Sequence, residues 1–137
     1  MTREEYITLF EKKTGETYEL PEGFKEVFLS NRGFCQYAKC EEEQAILVLN
    51  CCGDGEFWRD YGALLAKEHG YHKLISKFCR PARAYIRAMH FSIERCGAND
   101  DGREWFVCKD GENLVIIQEL GDSVNTGKKT YLLTKGV

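Results

Sequence analysis

The clearest pattern of apolar and polar positions lies between Gln44 and Arg95, and it reads strand, helix, strand, helix. Gln44-Ala-Ile-Leu-Val-Leu-Asn-Cys51 is an apolar run of strand length, which predicts a strand buried on both faces. Gly53-Asp-Gly55 turns the chain. Phe57, Tyr61, Leu64 and Leu65 then recur at helical spacing and predict a helix burying that stripe, with Gly70 as its stop. Leu74 to Cys79 predicts a second short strand. Pro81, whose missing N–H costs nothing at a helix start, opens a second helix burying Ala82, Tyr85, Ile86 and Met89. A strand, a crossover helix and a strand of these lengths make one right-handed parallel unit.

The flanks supply further elements. Thr2-Arg-Glu-Glu5 has the form of a capping box, followed by Tyr6, Leu9 and Phe10 at helical spacing and by Gly15 as a stop. Phe24, Val27 and Phe28 predict a short second helix from Pro21 to Gly33. Phe34 to Cys40 predicts a strand, and Glu41-Glu-Glu43 a charged turn. Beyond the central unit, Gly97 to Gly102 is a loop by composition. Strands follow at Arg103–Lys109 and Asn113–Leu120, joined by the hairpin signal Asp110-Gly111. A loop containing Asn125-Thr-Gly127 leads to a last strand, Lys129–Thr134. The expected architecture is a single α/β domain over residues 1–137. It has a mixed sheet, a central parallel βαβ unit, helices on both faces and an antiparallel C-terminal meander.

Composition narrows the function classes. The chain has 137 residues and a formal charge of −3, so no global field draws it to nucleic acid or to an anionic membrane. No apolar run approaches the roughly 20 residues that a membrane helix needs. The charged, amphipathic N-terminus is unlike a signal peptide, and the cytoplasm is the expected location. The seven cysteines are odd in number and include no C-x-x-C pair, which predicts reduced structural thiols and no metal site. Cys51 and Cys52, being adjacent in a strand, must point to opposite faces. Charge is uneven: Lys73, Lys77, Arg80, Arg83, Arg87 and Arg95 face a single carboxylate, Glu94, between Tyr71 and Arg95.

The run Ala63-Leu-Leu-Ala-Lys-Glu-His-Gly-Tyr-His-Lys-Leu-Ile75, then Pro81 to Met89, then His90-Phe91-Ser-Ile-Glu-Arg-Cys-Gly97, resembles a GNAT-type N-acyltransferase. In that family a helix ends in a Gly-aromatic pair before a strand, and a helix with a Gly-Phe step and a further strand follows. The resemblance covers Gln44 to Gly97 and implies a reduced or diverged member. It implies transfer of an acyl group from acetyl-coenzyme A, or another acyl-coenzyme A, to the amine of a small molecule or protein. It also implies that backbone N–H groups at the turn after the central strand hold the pyrophosphate, here Gly53, Gly55, Glu56, Phe57 and Trp58. Tyr85 would protonate the leaving thiolate. The chain departs from the pattern where Asp54 and Glu56 place carboxylates at the phosphate turn, where His90 replaces glycine, and in having fewer strands at its front.

Each candidate also has a purely structural reading. Asp54 and Glu56 suit the first turn of a helix as capping groups, Trp58 would cover the edge of the core, and Tyr85 falls on the apolar stripe of its helix. Arg80, Arg83 and Arg87 form a basic helix face that would bind the phosphates of a coenzyme or of nucleic acid, or a protein partner. Alternatively they are a solvated face paired with Glu41–Glu43 or with Asp100 and Asp101. A non-catalytic binding or accessory protein using that face is therefore the alternative to an enzyme. His69, His72 and His90 fit no metal or catalytic spacing.

Overall fold

In a computed structural model, which describes residues 1–124 and 126–137, the chain runs α1 (Arg3–Thr14), β1 (Lys25–Leu29), β2 (Gly33–Cys40), β3 (Ala45–Gly53), α2 (Gly55–Glu68), β4 (Lys73–Phe78), α3 (Ala82–Ala88), β5 (Ser92–Ala98), β6 (Glu104–Asp110), β7 (Asn113–Asp122) and β8 (Lys129–Gly136). The eight strands form one mixed sheet in the order β1-β2-β3-β4-β8-β7-β6-β5. β3 and β4 are its parallel pair, with Ala45 beside Lys73 and Val48 beside Ser76. From β5 to β8 the chain is an antiparallel meander that returns to lie against β4. The Asn125 position of the predicted loop lies outside the described residues.

Three helices cover the sheet unequally. α2 and α3 share one face. Under α2 lie Cys35, Ile46, Val48 and Leu74, and under α3 lie Phe78, Phe106, Cys108, Val115, Ile117 and Leu133. α1 covers the opposite face over β2 and β3, where Tyr6 and Phe10 pack on Phe34 and Cys52. The capping box at Thr2 and Glu5 forms, and Gly15 closes α1 in the left-handed conformation that glycine adopts without strain. As their adjacency in a strand requires, Cys51 goes to the α2 side and Cys52 to the α1 side.

Two expectations are corrected. The helix predicted from Pro21 to Gly33 is instead a tight turn and the edge strand β1. Phe24, Val27 and Phe28 have helical spacing, but Val27 packs with the α2 cluster and Phe28 with the α1 cluster. This two-sided burial suits a strand. The stripe of α2 is also rotated from its predicted position. Trp58, Gly62 and Ala66 are its buried residues, Phe57, Tyr61 and Leu65 flank them, and Leu64 is 57% exposed. Small residues set this face, since a side chain at Gly62 would meet Leu74 Cδ1 at 2.9 Å. Trp58 is the largest fully buried side chain, and truncating it to alanine would cost on the order of 3–5 kcal/mol.

A candidate cleft between the parted parallel strands

β3 and β4 run together for only part of their length. Their pairing ends at Val48 and Ser76, yet β3 continues to Gly53 and β4 to Phe78. The cause is in β3 itself. Cys35 of β2 pairs with Cys51, and two residues later Tyr37 pairs with Val48, so β3 carries one extra residue at Leu49–Asn50. A bulge of this kind bends the strand that holds it. Asn50 is anchored there, donating from Nδ2 to Gln36 Oε1 at 2.9 Å, while the fully buried Gln36 donates to the Glu19 carbonyl at 2.7 Å. The cue in the sequence is the single amide that ends the run Ala45–Leu49.

A cleft of about 1400 Å³ occupies the gap. The open end of β3, the N-terminal turns of α2 and α3, the end of α1 and the start of β8 line it. Seven basic side chains reach it (Lys13, Arg59, Lys77, Arg80, Arg83, Lys128 and Lys129) against Glu16, Asp54, Glu56 and Glu104, in a chain whose overall charge is negative. Lys13, Lys77 and Arg80 form no ion pair among the described residues. Lys128 donates from Nζ to the Lys13 carbonyl at 2.7 Å, so these two lysines stand together. Sequence spacing held no signal for this grouping, because its members come from distant elements.

Gly53, Gly55, Glu56, Phe57 and Trp58 all sit at or beside the N-terminus of α2, and all but Phe57 line the cleft. Asp54 is the N-cap: its carboxylate accepts the Phe57 N–H at 3.1 Å and is paired with Arg32. The Phe57 N–H and then Arg32 hold its pKa below the usual carboxylate value. A side-chain anion therefore occupies the place where backbone N–H groups would meet a phosphate, as the capping reading expects. Glu56 Oε1 lies 2.6 Å from His90 Nε2, joining the α2 turn to the residue that follows α3. Trp58 is core rather than an edge cover, 1% exposed, and its indole N–H is donated to the Arg32 carbonyl at 2.9 Å. Arg59, not singled out in the sequence, donates to the Met89 carbonyl at 2.5 Å and lies 5.7 Å over the Phe91 ring, tying α2 to α3.

Tyr85 lines the cleft and stacks on Phe78 at 3.8 Å, with planes 5° apart, and Phe78 stacks in turn on Tyr131 at 5.2 Å. Burial pushes its phenol pKa well above the ordinary value, with a further rise from Cys51, so the hydroxyl keeps its proton at neutral pH. Tyr131 donates to Glu104 Oε1 at 2.9 Å, and burial, with that bond, pushes it up to about 12. Cys51 and Cys35 are directly opposed; the hydrogen bond between their thiols, with burial, raises the Cys51 pKa.

The basic helix face is divided. Arg80 and Arg83 line the cleft and Arg87 does not. Arg83 lies 5.4 Å over the Phe106 ring with Nη2 at 3.5 Å from Cys96 Sγ. Three of the five carboxylates expected to neutralise this face are engaged elsewhere: Glu43 with Lys73, Asp101 with Arg103 and Glu41 with the Tyr71 hydroxyl. No group of three or more His, Cys, Asp or Glu among the described residues is placed to hold a metal ion. No helix among the described residues is long and apolar enough to cross a membrane. No family model matches this chain, and no curated protein or solved structure matches it either.

Proposed function

We propose that this chain is a reduced GNAT-like N-acyltransferase that moves an acyl group from a coenzyme A thioester to an amine. The observation that carries the reading is the parting of β3 and β4 into a basic-lined cleft beside a protonated tyrosine. Beyond Val48, the β3 backbone groups directed toward β4 have no strand partner. An extended ligand with amide groups would complete that edge as an added strand does. Lys13, Arg80 and Lys128 would take its phosphates. They would share that task with the α2 N-terminus at Gly53–Phe57 only to the extent that Asp54 turns away toward Arg32.

When bound, the thioester supplies an electrophilic carbonyl and a thiolate leaving group. The residues here position it, exclude water and manage one proton. A neutral amine forms the new C–N bond as the C–S bond breaks. Tyr85 gives its hydroxyl proton to the departing sulfur and is reprotonated by the proton that the amine nitrogen loses. Positioning carries most of the rate, because burial raises the phenol pKa and makes Tyr85 a weak acid. The alternative is a non-catalytic accessory protein holding a protein or nucleic acid through Arg80, Arg83 and Arg87. It draws less support, because only Arg80 and Arg83 of that face line the cleft.

Thermal unfolding with acetyl-coenzyme A tests the reading. A ligand specific for the folded state raises Tm by mass action, by about 2.7 kcal/mol of stability at a hundredfold excess over Kd. A rise of several degrees is expected with the thioester and not with adenine alone. An unchanged Tm at millimolar ligand refutes the assignment.

A further inference from the structure

With β1 in place of a helix, one face of the sheet carries no helix beyond the reach of α1, and Phe24 of the turn before β1 lines a shallow groove there with Leu47, Ile75 and Leu132. Cross-strand neighbours share a face. The ladder on the uncovered side runs Leu47, Ile75, Thr134, Ile116, Val107, Arg95, crossing from β3 to β5. Beside it lie Leu132 and Trp105. Among these, the aliphatic and aromatic side chains are only half-buried, though the matching positions on the other face are core. The strand residues on this face contribute Lys73, Lys77, Lys109 and Arg95, against Glu94 at the β5 bulge. Lys73 is neutralised by Glu43 at 2.9 Å; Lys77, Lys109 and Arg95 form no ion pair among the described residues.

We propose that this face docks an acidic amphipathic helix of a partner protein. From Leu47 to Val107 the apolar ladder crosses four strand spacings, about 19 Å. A helix of about 13 residues covers that distance. Its apolar stripe would cover Leu47, Ile75, Ile116, Val107 and Leu132, and flanking carboxylates would meet Lys77, Lys109 and Arg95. Charge complementarity selects this occupant. A second copy packed face to face would bring the same cations of both chains into one interface, where like charges cost binding. Nucleic acid would find the phosphate partners, but the strands of this face offer it a single aromatic ring, Trp105, among aliphatic side chains that bases do not stack on.

The test uses the full chain and a fluorescein-labelled helical peptide of 16 residues with leucine on one face and glutamate on its flanks. The same peptide with lysine for glutamate is the control, and fluorescence anisotropy is the readout. The glutamate peptide should bind at least tenfold more tightly. Lys77→Glu with Lys109→Glu should invert that preference, and Ile116→Asp should abolish binding. The charge-reversed protein keeps the proposal testable if Ile116→Asp fails to fold, since Lys77 is exposed and both lysines lie at the surface of the sheet. Equal affinity for the two peptides, no binding of either, or a preference unmoved by charge reversal overturns the proposal. So does binding to phosphatidylserine vesicles without peptide binding, or a dimer in sedimentation velocity that Ile116→Asp dissociates.

Discussion

At the scale of single residues, Tyr85 and Asp54 carry the sharpest consequences. Tyr85→Phe keeps the ring that stacks on Phe78 and removes only the proton donor. The expected outcome is a fall in kcat of roughly tenfold to a hundredfold, the lower part of what a positioned acid contributes, with KM little changed. Thiol release from acetyl-coenzyme A across a panel of amines measures it. The raised phenol pKa also means that activity should not decline through loss of this proton until pH is well above 10. Asp54→Asn preserves an N-cap, because asparagine caps a helix as well as aspartate does, while it removes a carboxylate from the rim of the cleft and frees Arg32. Affinity for acyl-coenzyme A should rise severalfold by calorimetry. Unchanged affinity would mean that the phosphates avoid this turn. The sequence placed both residues on the right elements. It could not show that Tyr85 reaches a cleft, because an apolar stripe reads the same whether it faces core or cavity.

Among the elements, the parted pair β3 and β4 decides the shape of the site. The far end of β3, at the mouth of the gap, depends on two glycines, Gly33 and Gly53, which face each other where β2 and β3 meet. Both have positive φ, 96° and 112°, and a Cβ on either would strike backbone atoms of the opposite strand. Backbone cannot yield as a flexible side chain does. Gly53→Ala should therefore cost on the order of 3 kcal/mol, read as a lower urea midpoint at unchanged m-value. Gly55→Ala should be far milder, because its Cβ would meet only the end of Met89, at 2.5 Å. The strands other than β1 and β5, the turn at Asp110-Gly111 and the capping box of α1 were legible in the sequence, since each depends on neighbours a few residues away. The Pro21–Leu29 segment was not. Phe24, Val27 and Phe28 fit a helix by spacing, and only the positions of β2 and α1 make burial on two sides available.

For the whole molecule, two tyrosine hydroxyls held protonated, one by a hydrogen bond to a carboxylate and one chiefly by burial, predict a weakness in alkali. Tyr71 and Tyr131 are each pushed up to about 12, Tyr71 by its bond to Glu41 and Tyr131 chiefly by burial. A folded pKa above the unfolded value of about 10 means that, between the two, the native state holds protons that the unfolded chain has released. Stability should thus be full below pH 10 and decline as pH rises from 10 to 12. Tyr131→Phe should flatten that decline, in urea melts at pH 9 and 11, at the cost of its hydrogen bond to Glu104.

Periodicity, capping residues and turn chemistry are local, so the sequence was enough to establish a mixed α/β domain, a strand–helix–strand centre, a hairpin at Asp110-Gly111 and the opposed directions of Cys51 and Cys52. The meeting of Lys13, Lys77, Arg80 and Lys128 around one gap, the pairing of Asp54 with Arg32 and the bare apolar ladder from Leu47 to Val107 came from the assembled sheet. Each depends on which strands become neighbours and where a ladder breaks. Those are contacts between residues far apart in the chain, and no local pattern encodes them.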